Sequence, residues 1–161
     1  MTNVREATQA DVQGIRDVAT KAWYNTYLNI YAATTVNAFL EASYNEHNLL
    51  QRLEDQLFLV IEEDDQIIAF ANFIHGKELY LSAHYVRPAY QHHGHGGALL
   101  QAGIDTYRQR YDTLYVEVDC RNKDAVNFYL NQGFEQVRVY QHTMYGELME
   151  LALLRKTLTQ S

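Results

Sequence analysis

Residues 80–100 read YLSAHYVRPAYQHHGHGGALL, and this stretch decides the fold. An apolar, aromatic run reaches Pro88, the one proline in the sequence, a glycine-rich turn follows, and a helical pattern then begins at once. Glycines at positions 94, 96 and 97 permit positive φ angles and let an anion approach bare backbone N–H groups. The helix directs its unpaired N–H groups and the positive end of its dipole to the same point. The stretch therefore predicts a strand, a phosphate-binding turn and a helix.

The composition is typical of a soluble globular protein with one domain spanning residues 1–161. Hydrophobic residues make up 47% of the chain and charged residues 20%. The polar start of the sequence lacks the apolar core of a signal peptide, and no run approaches the ~18 apolar residues of a membrane span. The single cysteine, Cys120, forms no internal disulfide, which indicates a reducing compartment. We therefore expect a cytoplasmic protein that does not act at a membrane.

The net charge of −7 argues against a nucleic-acid-binding role, because such a role needs a basic surface to replace counterions. A small cationic partner is more compatible with this charge, although mild acidity also serves solubility alone. Tyrosine occurs 13 times. Its amphipathic ring suits the wall of a ligand pocket and equally suits the edge of a core.

Alternation and helical spacing outline the remaining elements. Upstream of the decisive stretch, the pattern predicts a short strand, an amphipathic helix with an aromatic end, two further helical segments and a hairpin with an acidic turn. Downstream, it predicts a helix, a strand, a short helix closed by Gly133 and a terminal hairpin. The predicted strands cover residues 4–7, 57–62, 66–75, 78–87, 113–119, 134–142 and 145–154, and the two downstream helices begin near residues 96 and 122. This order predicts an α/β (α+β) fold, a mixed sheet with helices on both faces.

Two motifs carry a resemblance to a known family. Gln91, Gly94 and Gly96 resemble the pyrophosphate-binding motif of the GCN5-related N-acetyltransferases (GNAT), in which Gln or Arg precedes two spaced glycines. A lone glycine pattern is weak evidence. However, residues 122–134, NKDAVNFYLNQGF, resemble the closing motif of the same family at the expected distance. The resemblance implies a GNAT fold, a single, mostly antiparallel central sheet of about seven strands, and acetyl-CoA as the donor to a primary amine.

The resemblance also implies which residues hold acetyl-CoA. Backbone amides of the turn would hold the diphosphate with Gln91 bracing it, and the backbone of Tyr85 and Val86 would face the acetyl group and the pantetheine arm. Asn122 would bond the pantetheine, unless it serves only as a helix cap. The predicted cofactor-binding residues are Tyr85, Val86, Gln91, His92, His93, Gly94, His95, Gly96, Gly97, Ala98, Asn122, Ala125, Phe128 and Tyr129.

Tyr129 is the predicted general acid, because its place in the second motif is the place of the family's proton donor to the leaving thiolate. The general base is harder to predict. Relatives often carry a glutamate on the fourth strand, where this sequence has Tyr80, Ser82 and His84. His84 is the candidate base because histidines titrate near pH ~6.5, but it could equally pack under the sheet or line the acceptor site, and bulk water could take the proton.

The acceptor-binding part of the chain resembles bacterial spermidine/spermine acetyltransferases of the family, through residues 23–27 (WYNTY) and 39–45 (FLEASYN). Trp23, Tyr24, Tyr27 and Tyr31 are the predicted acceptor-binding residues, through attraction between an ammonium group and their rings. These aromatics could instead only pack the first helix. A small amine such as a polyamine is the expected acceptor. A protein amino group, or a sensor that binds acetyl-CoA without turnover, stays an alternative.

The sequence does not favour two other kinds of site, and it leaves the oligomeric state open. His92, His93 and His95 do not predict a metal site, because neighbouring side chains in a turn diverge and no cysteine or carboxylate joins them. A nucleotide-binding P-loop lacks its lysine and hydroxyl residue after Gly97. A homodimer and a monomer are both compatible with the sequence.

Overall fold

The computed structural model describes residues 3–159. Within this range the chain forms seven strands and five α-helices. The strands are β1 (Val4–Glu6), β2 (Leu57–Glu63), β3 (Gln66–His75), β4 (Leu79–Val86), β5 (Thr113–Asp119), β6 (Glu135–Met144) and β7 (Glu147–Thr157). The helices are α1 (Val12–Tyr27), α2 (Ala33–Tyr44), α3 (Glu46–Asp55), α4 (His95–Tyr107) and α5 (Lys123–Asn131). Short 3-10 turns cover Gln9–Asp11 and Pro88–Tyr90.

The strands form one mixed sheet in the order β1-β2-β3-β4-β5-β7-β6. Every neighbouring pair is antiparallel except β4 and β5, which run parallel. This parallel pairing includes only Leu79↔Leu114, Tyr80↔Tyr115 and Leu81↔Val116. Beside the end of this β4–β5 pairing, the register between β3 and β4 shifts. Ser82 is an extra residue on β4 at this point and forms a β-bulge. The predicted mixed, mostly antiparallel sheet of about seven strands is confirmed.

Each face of the sheet carries its own apolar core. Helix α1 buries a stripe of residues at helical spacing, including Ile15, Val18 and Ala19, against the face that carries Phe70. Helix α4 buries Leu99, Leu100 and Ile104 against the opposite face. The sheet is therefore covered on both faces, as the alternation of helices and strands predicts.

The predicted boundaries differ from the structure mainly at helix and hairpin ends. The strand predicted over residues 113–119 is β5 itself, whereas the helix predicted to begin near Gly96 begins at His95. The terminal hairpin continues to Thr157, beyond the predicted residue 154, because β7 pairs along its length with β5 as well as β6. None of the helices within residues 3–159 has both the length and the apolar character needed to cross a bilayer.

The close approach of α4 to the sheet requires a glycine at position 103. A β-carbon built there would lie 2.0 Å from Cζ of Phe73, whose side chain is fully buried. We expect Gly103→Ala to lower the free energy of unfolding by about 2 kcal/mol, because the core must shift to admit the methyl group. Gly76→Ala is the matched control, since a β-carbon at position 76 has no neighbour within 4 Å. Urea unfolding of both variants checks this, and equal stability of the two would contradict the tight packing.

Candidate active site

The candidate site is a cleft that opens where β4 and β5 separate. Beyond Leu81↔Val116 the two strands no longer pair, so residues 82–86 and 117–119 diverge on either side of the opening. The cleft has a volume of about 1060 Å³ and extends from the glycine-rich turn to the end of α1. Volumes of this order hold a sizeable ligand.

The glycine-rich turn lies at one end of the cleft and leads directly into α4. Gly94 is the N-cap of this helix with φ of 85°, and its carbonyl accepts the hydrogen bond from Ala98 N at 3.0 Å. The amides before Ala98 have no intrahelical acceptor in an α-helix, so the first turn of α4 can bind an anion. Gly94 alone among the three predicted glycines has a positive φ, because Gly96 and Gly97 already belong to the helix. The other residue of the turn with a positive φ is His92, at 67°.

The backbone of β4 faces the cleft at Val86. Arg87 N donates to Ile68 O on β3, at 2.8 Å. Because peptide groups alternate in direction along a strand, the N–H of Val86 points to the opposite edge, into the opening, and that of Tyr85 points to β3. Gln91 Nε2 donates to Val86 O at 3.4 Å, and this hydrogen bond joins the glycine-rich turn to the end of β4.

His84 and Tyr129 meet at the centre of the cleft. His84 Nε2 lies 2.8 Å from Gly96 O, and His84 Nδ1 lies 2.9 Å from the Tyr129 hydroxyl. A carbonyl oxygen only accepts hydrogen bonds, so Nε2 carries the proton and Nδ1 accepts from Tyr129. Burial lowers the pKa of His84 to about 4 and raises the pKa of Tyr129 above its ordinary value. Both side chains are therefore neutral at neutral pH, and the phenol keeps its proton.

The second motif places Asn122 at the start of α5. Asn122 Oδ1 accepts from Ala125 N at 3.2 Å, and its Nδ2 donates to the Tyr27 hydroxyl at 3.3 Å. Asn122 is thus a helix cap that also ties α5 to α1. Of the predicted cofactor-binding residues, all line the cleft except His93 and Ala98.

The aromatic residues at the end of α1 separate into two groups. Trp23 and Tyr27 line the cleft, and Trp23 donates from Nε1 to the Tyr85 hydroxyl at 2.9 Å while stacking on Phe39 at 3.9 Å. Tyr24 lies on the surface and donates to Asn37 Oδ1 at 2.6 Å. Tyr31 is buried outside the cleft lining, where its hydroxyl donates to Asp119 Oδ2. The predicted set of four therefore does not come together in one wall.

Glu117 and Phe39 are among the residues that line the cleft without having been predicted. Glu117 follows Val116, the last residue of β5 that pairs with β4, and it still pairs with Leu153 of β7. Its side chain is exposed and makes no hydrogen bond or ion pair with the residues that the structure describes. Phe39 on α2 completes the aromatic wall with Trp23. The alternation of β5 already assigns Glu117 to the polar side of that strand. Only the separation of β4 and β5 shows that this position opens on the cleft.

The three histidines of the turn adopt different environments. His95 is buried, with Nε2 3.3 Å from Glu63 Oε2 and with Nδ1 lacking any partner within residues 3–159. His92 lies at the cleft, and the rings of His93 and His95 are 6.4 Å apart. No group of three potential metal ligands was found among the described residues.

The comparison with known proteins agrees with this fold. The model of the Acetyltransferase (GNAT) family matches residues 21–134. This match extends from the end of α1 through the whole second motif. The chain therefore belongs to the GNAT acetyltransferase family.

Individual relatives match over different lengths. The peptidyl-lysine N-acetyltransferase YiaC of Escherichia coli (strain K12) is 37% identical over 78 residues, which cover 48% of this chain and 49% of YiaC. A spermidine N(1)-acetyltransferase of Thermoplasma acidophilum is 25% identical over 142 residues, 82% of this chain and 87% of that protein. The chain thus spans only about half of YiaC but most of the second relative.

Among solved structures, the PaiA N-acetyltransferase of Thermoplasma acidophilum in complex with coenzyme A has the same fold. Its TM-score is 0.83 at 22% identity, with 98% of this chain and 99% of that chain covered. At this identity the likeness concerns the fold alone.

Acidification is expected to destabilise the protein through His84. Its pKa falls from 6.5 to about 4 on folding, so the unfolded chain binds a proton first as the pH drops. The stability lost between these two values is roughly 3 kcal/mol, at about 1.4 kcal/mol for each tenfold change in proton affinity. His84→Asn removes the titrating group and keeps an oxygen to accept from Tyr129. Urea unfolding near pH ~7 and pH ~4 should show the larger loss for the wild type; equal losses would contradict burial of a neutral imidazole.

Proposed function

We propose that this protein transfers the acetyl group of acetyl-CoA to a primary amine, with a small molecule such as a polyamine as the acceptor. The observation that carries this proposal is the presence of an anion-binding helix start and a proton-bearing phenol in one cleft, joined through His84. Family membership supports the reaction type. The spermidine acetyltransferase relative, which aligns over most of both chains, supports the class of acceptor.

The residues of the turn fit a diphosphate. Gly94 supplies the left-handed conformation that starts α4, and no atom lies within 4 Å of a β-carbon built at that position. The buried Nδ1 of His95 has no partner within residues 3–159, so a tautomer with the hydrogen on Nδ1 could donate to a ligand oxygen. The first amides of α4 would hold the phosphates of acetyl-CoA. The Val86 N–H would donate to polar atoms of acetyl-CoA nearer its thioester. Bound acetyl-CoA supplies the activated acetyl thioester.

Tyr129 is the proposed general acid. Its hydroxyl is buried and protonated, and its raised pKa opposes loss of the proton to water. His84 fixes the position of the phenol by accepting its hydrogen bond, and Gly96 O fixes His84 in turn. Rotation about the C–O bond then presents the proton to a leaving thiolate. Geometry must do most of this work, because a phenol is a weaker acid than a thiol.

Glu117 is the proposed proton acceptor for the amine. His84, the candidate from the sequence, has Nε2 bonded to Gly96 O and Nδ1 bonded to the Tyr129 hydroxyl, so neither ring nitrogen is free to take the proton of an amine. Glu117 offers an unengaged carboxylate on the opposite strand of the same opening. A carboxylate can withdraw the proton of an ammonium group directly or through one water molecule.

A second candidate acceptor is a lysine side chain of a protein. The observation that favours it is the 37% identity to the peptidyl-lysine N-acetyltransferase YiaC. A panel of amines, amino acids and lysine peptides, followed by release of the coenzyme A thiol, separates the two candidates. Turnover of peptides alone would replace the small-amine proposal, and tight acetyl-CoA binding without any turnover would indicate a sensor.

Tyr129→Phe removes the proposed acid without changing the shape of the core. We expect kcat to fall by about a hundredfold or more, because proton transfer by a positioned side chain contributes on that scale. Binding of acetyl-CoA should stay within about twofold, since the ring is retained and one hydrogen bond is lost. Stopped-flow thiol release and calorimetric titration measure the two quantities. A kcat within a factor of about two of the wild type would exclude this role for Tyr129.

Glu117→Gln tests the proposed base through its pH dependence. We expect kcat/KM to fall by about a hundredfold near neutral pH. It should recover toward pH ~10, where a growing share of an alkylamine is already neutral. Glu135→Gln is the matched control, since Glu135 lies on exposed β6 and pairs with Arg155 at 2.8 Å. If kcat/KM of the Glu117 variant and of the wild type changes with pH in parallel, solvent and not Glu117 takes the proton of the amine.

A further inference from the structure

A second cavity lies behind β4, and nothing in the proposed reaction uses it. This rear pocket has a volume of about 530 Å³, is open to solvent on one side, and is bounded by the end of α2, by α3 and by the bulge of β4. Phe39, Ser82 and Tyr85 line both the rear pocket and the main cleft. The two spaces therefore adjoin at two aromatic rings and the bulged serine, and we call this boundary the neck. A ligand that lay across the neck would reach both spaces.

The positively charged side chain beside the rear pocket, Arg52, already has partners within the protein. Arg52 donates to Ser43 O at the end of α2 and to Asn72 Oδ1 at 3.0 Å. Its guanidinium also lies over the rings of Tyr44, at 5.2 Å, and Phe58, at 5.4 Å. These contacts, together with the negative end of the α2 dipole, account for the charge of Arg52 without a ligand.

Two hydrogen-bond acceptors beside the rear pocket have no partner among the described residues. Gln56 Oε1 is buried and receives no hydrogen bond from the described residues. Asp55 lines the same space with a carboxylate that makes no ion pair or hydrogen bond within residues 3–159. Asp55 is exposed to solvent, whereas Gln56 Oε1 is buried at the wall of the pocket. A carboxylate beside a carbonyl oxygen that lacks a donor favours a ligand that carries N–H groups and positive charge.

We propose that the rear pocket binds the distal ammonium group of an α,ω-diamine whose other amine is acetylated in the main cleft. Asp55 and Gln56 Oε1 would accept its N–H groups. The rings of Phe39 and Tyr85 at the neck would cover the methylene chain between the two amines. This inference rests on the proposed function and specifies the class of acceptor.

Matched acceptors test the chemistry of the pocket. A series of α,ω-diamines is compared with n-alkylamines and amino alcohols of the same chain length. Diamines long enough to pass the neck should have a KM about tenfold or more below that of the matched alkylamine, the scale of one hydrogen bond to a charged group. Equal KM values across the three series at every length would overturn the proposal.

Matched variants test the residues. Asp55→Asn and Gln56→Leu should each raise the KM for the preferred diamine about tenfold, with no change for the alkylamine of equal length. Glu54→Gln is the control, because Glu54 is the neighbouring exposed carboxylate on α3 and does not line the pocket. Effects of Glu54→Gln as large as those of Asp55→Asn would reduce the result to general surface charge and reject the subsite.

A binding experiment separates failure of the subsite from failure of the proposed function. Calorimetric titration of the free protein with the same diamine should show binding that Asp55→Asn weakens about tenfold and Glu54→Gln leaves unchanged. If no amine releases thiol but this binding is seen, the proposed reaction fails and the subsite stands. If alkylamines are acetylated but the diamine binds wild type and Asp55→Asn equally, the subsite fails and the reaction stands.

Discussion

The separation of β4 from β5 is the constraint on which the rest of this structure depends. Parallel pairing ends after Leu81↔Val116, and the bulge at Ser82 bends β4 away at that point. A sheet that stayed paired would leave no opening and would consume the N–H of Val86 in a ladder bond. Because the strands part, polar main-chain groups and the side chains of both strands face a common space. The sheet thus provides a rigid site without any long loop.

His84 connects the two ends of this site. It lies on β4 and reaches both the first turn of α4, through Gly96 O, and Tyr129 on α5. These hydrogen bonds link the anion-binding backbone to the proposed proton donor through one neutral imidazole. The low pKa of His84 matters here, because a charged imidazole would lose the lone pair that orients Tyr129. His84 is therefore better suited to positioning Tyr129, the proposed acid, than to acting as the base that the sequence suggests.

The end of the cleft near α1 is aromatic, but only some of the aromatic residues in this region line the cleft. Trp23, Tyr27 and Phe39 line the cleft. Tyr31 instead donates its hydroxyl hydrogen bond to Asp119, and the Arg121 guanidinium lies 4.7 Å from the centre of the Tyr31 ring. Tyr31 and Asp119 thereby fasten the segment after α1 to the end of β5. Glu117, two residues before Asp119, stays an unengaged carboxylate at the opening. This arrangement fits the proposed transfer, in which an uncharged amine lies beside a thioester.

The sequence by itself determined the order of elements, the strand over residues 113–119, the glycine turn that starts α4, and the Asn122 cap. Each of these follows from neighbouring residues, through alternation, capping and the conformational freedom of glycine. The extent of the chain as one domain and its pairing into a dimer stay predictions. Only the tertiary structure decided that His84 meets Tyr129, that Glu117 faces the cleft, and that Gln56 is buried without a partner. These contacts join residues that are far apart in the chain, and they depend on where β4 and β5 part, which no local pattern encodes.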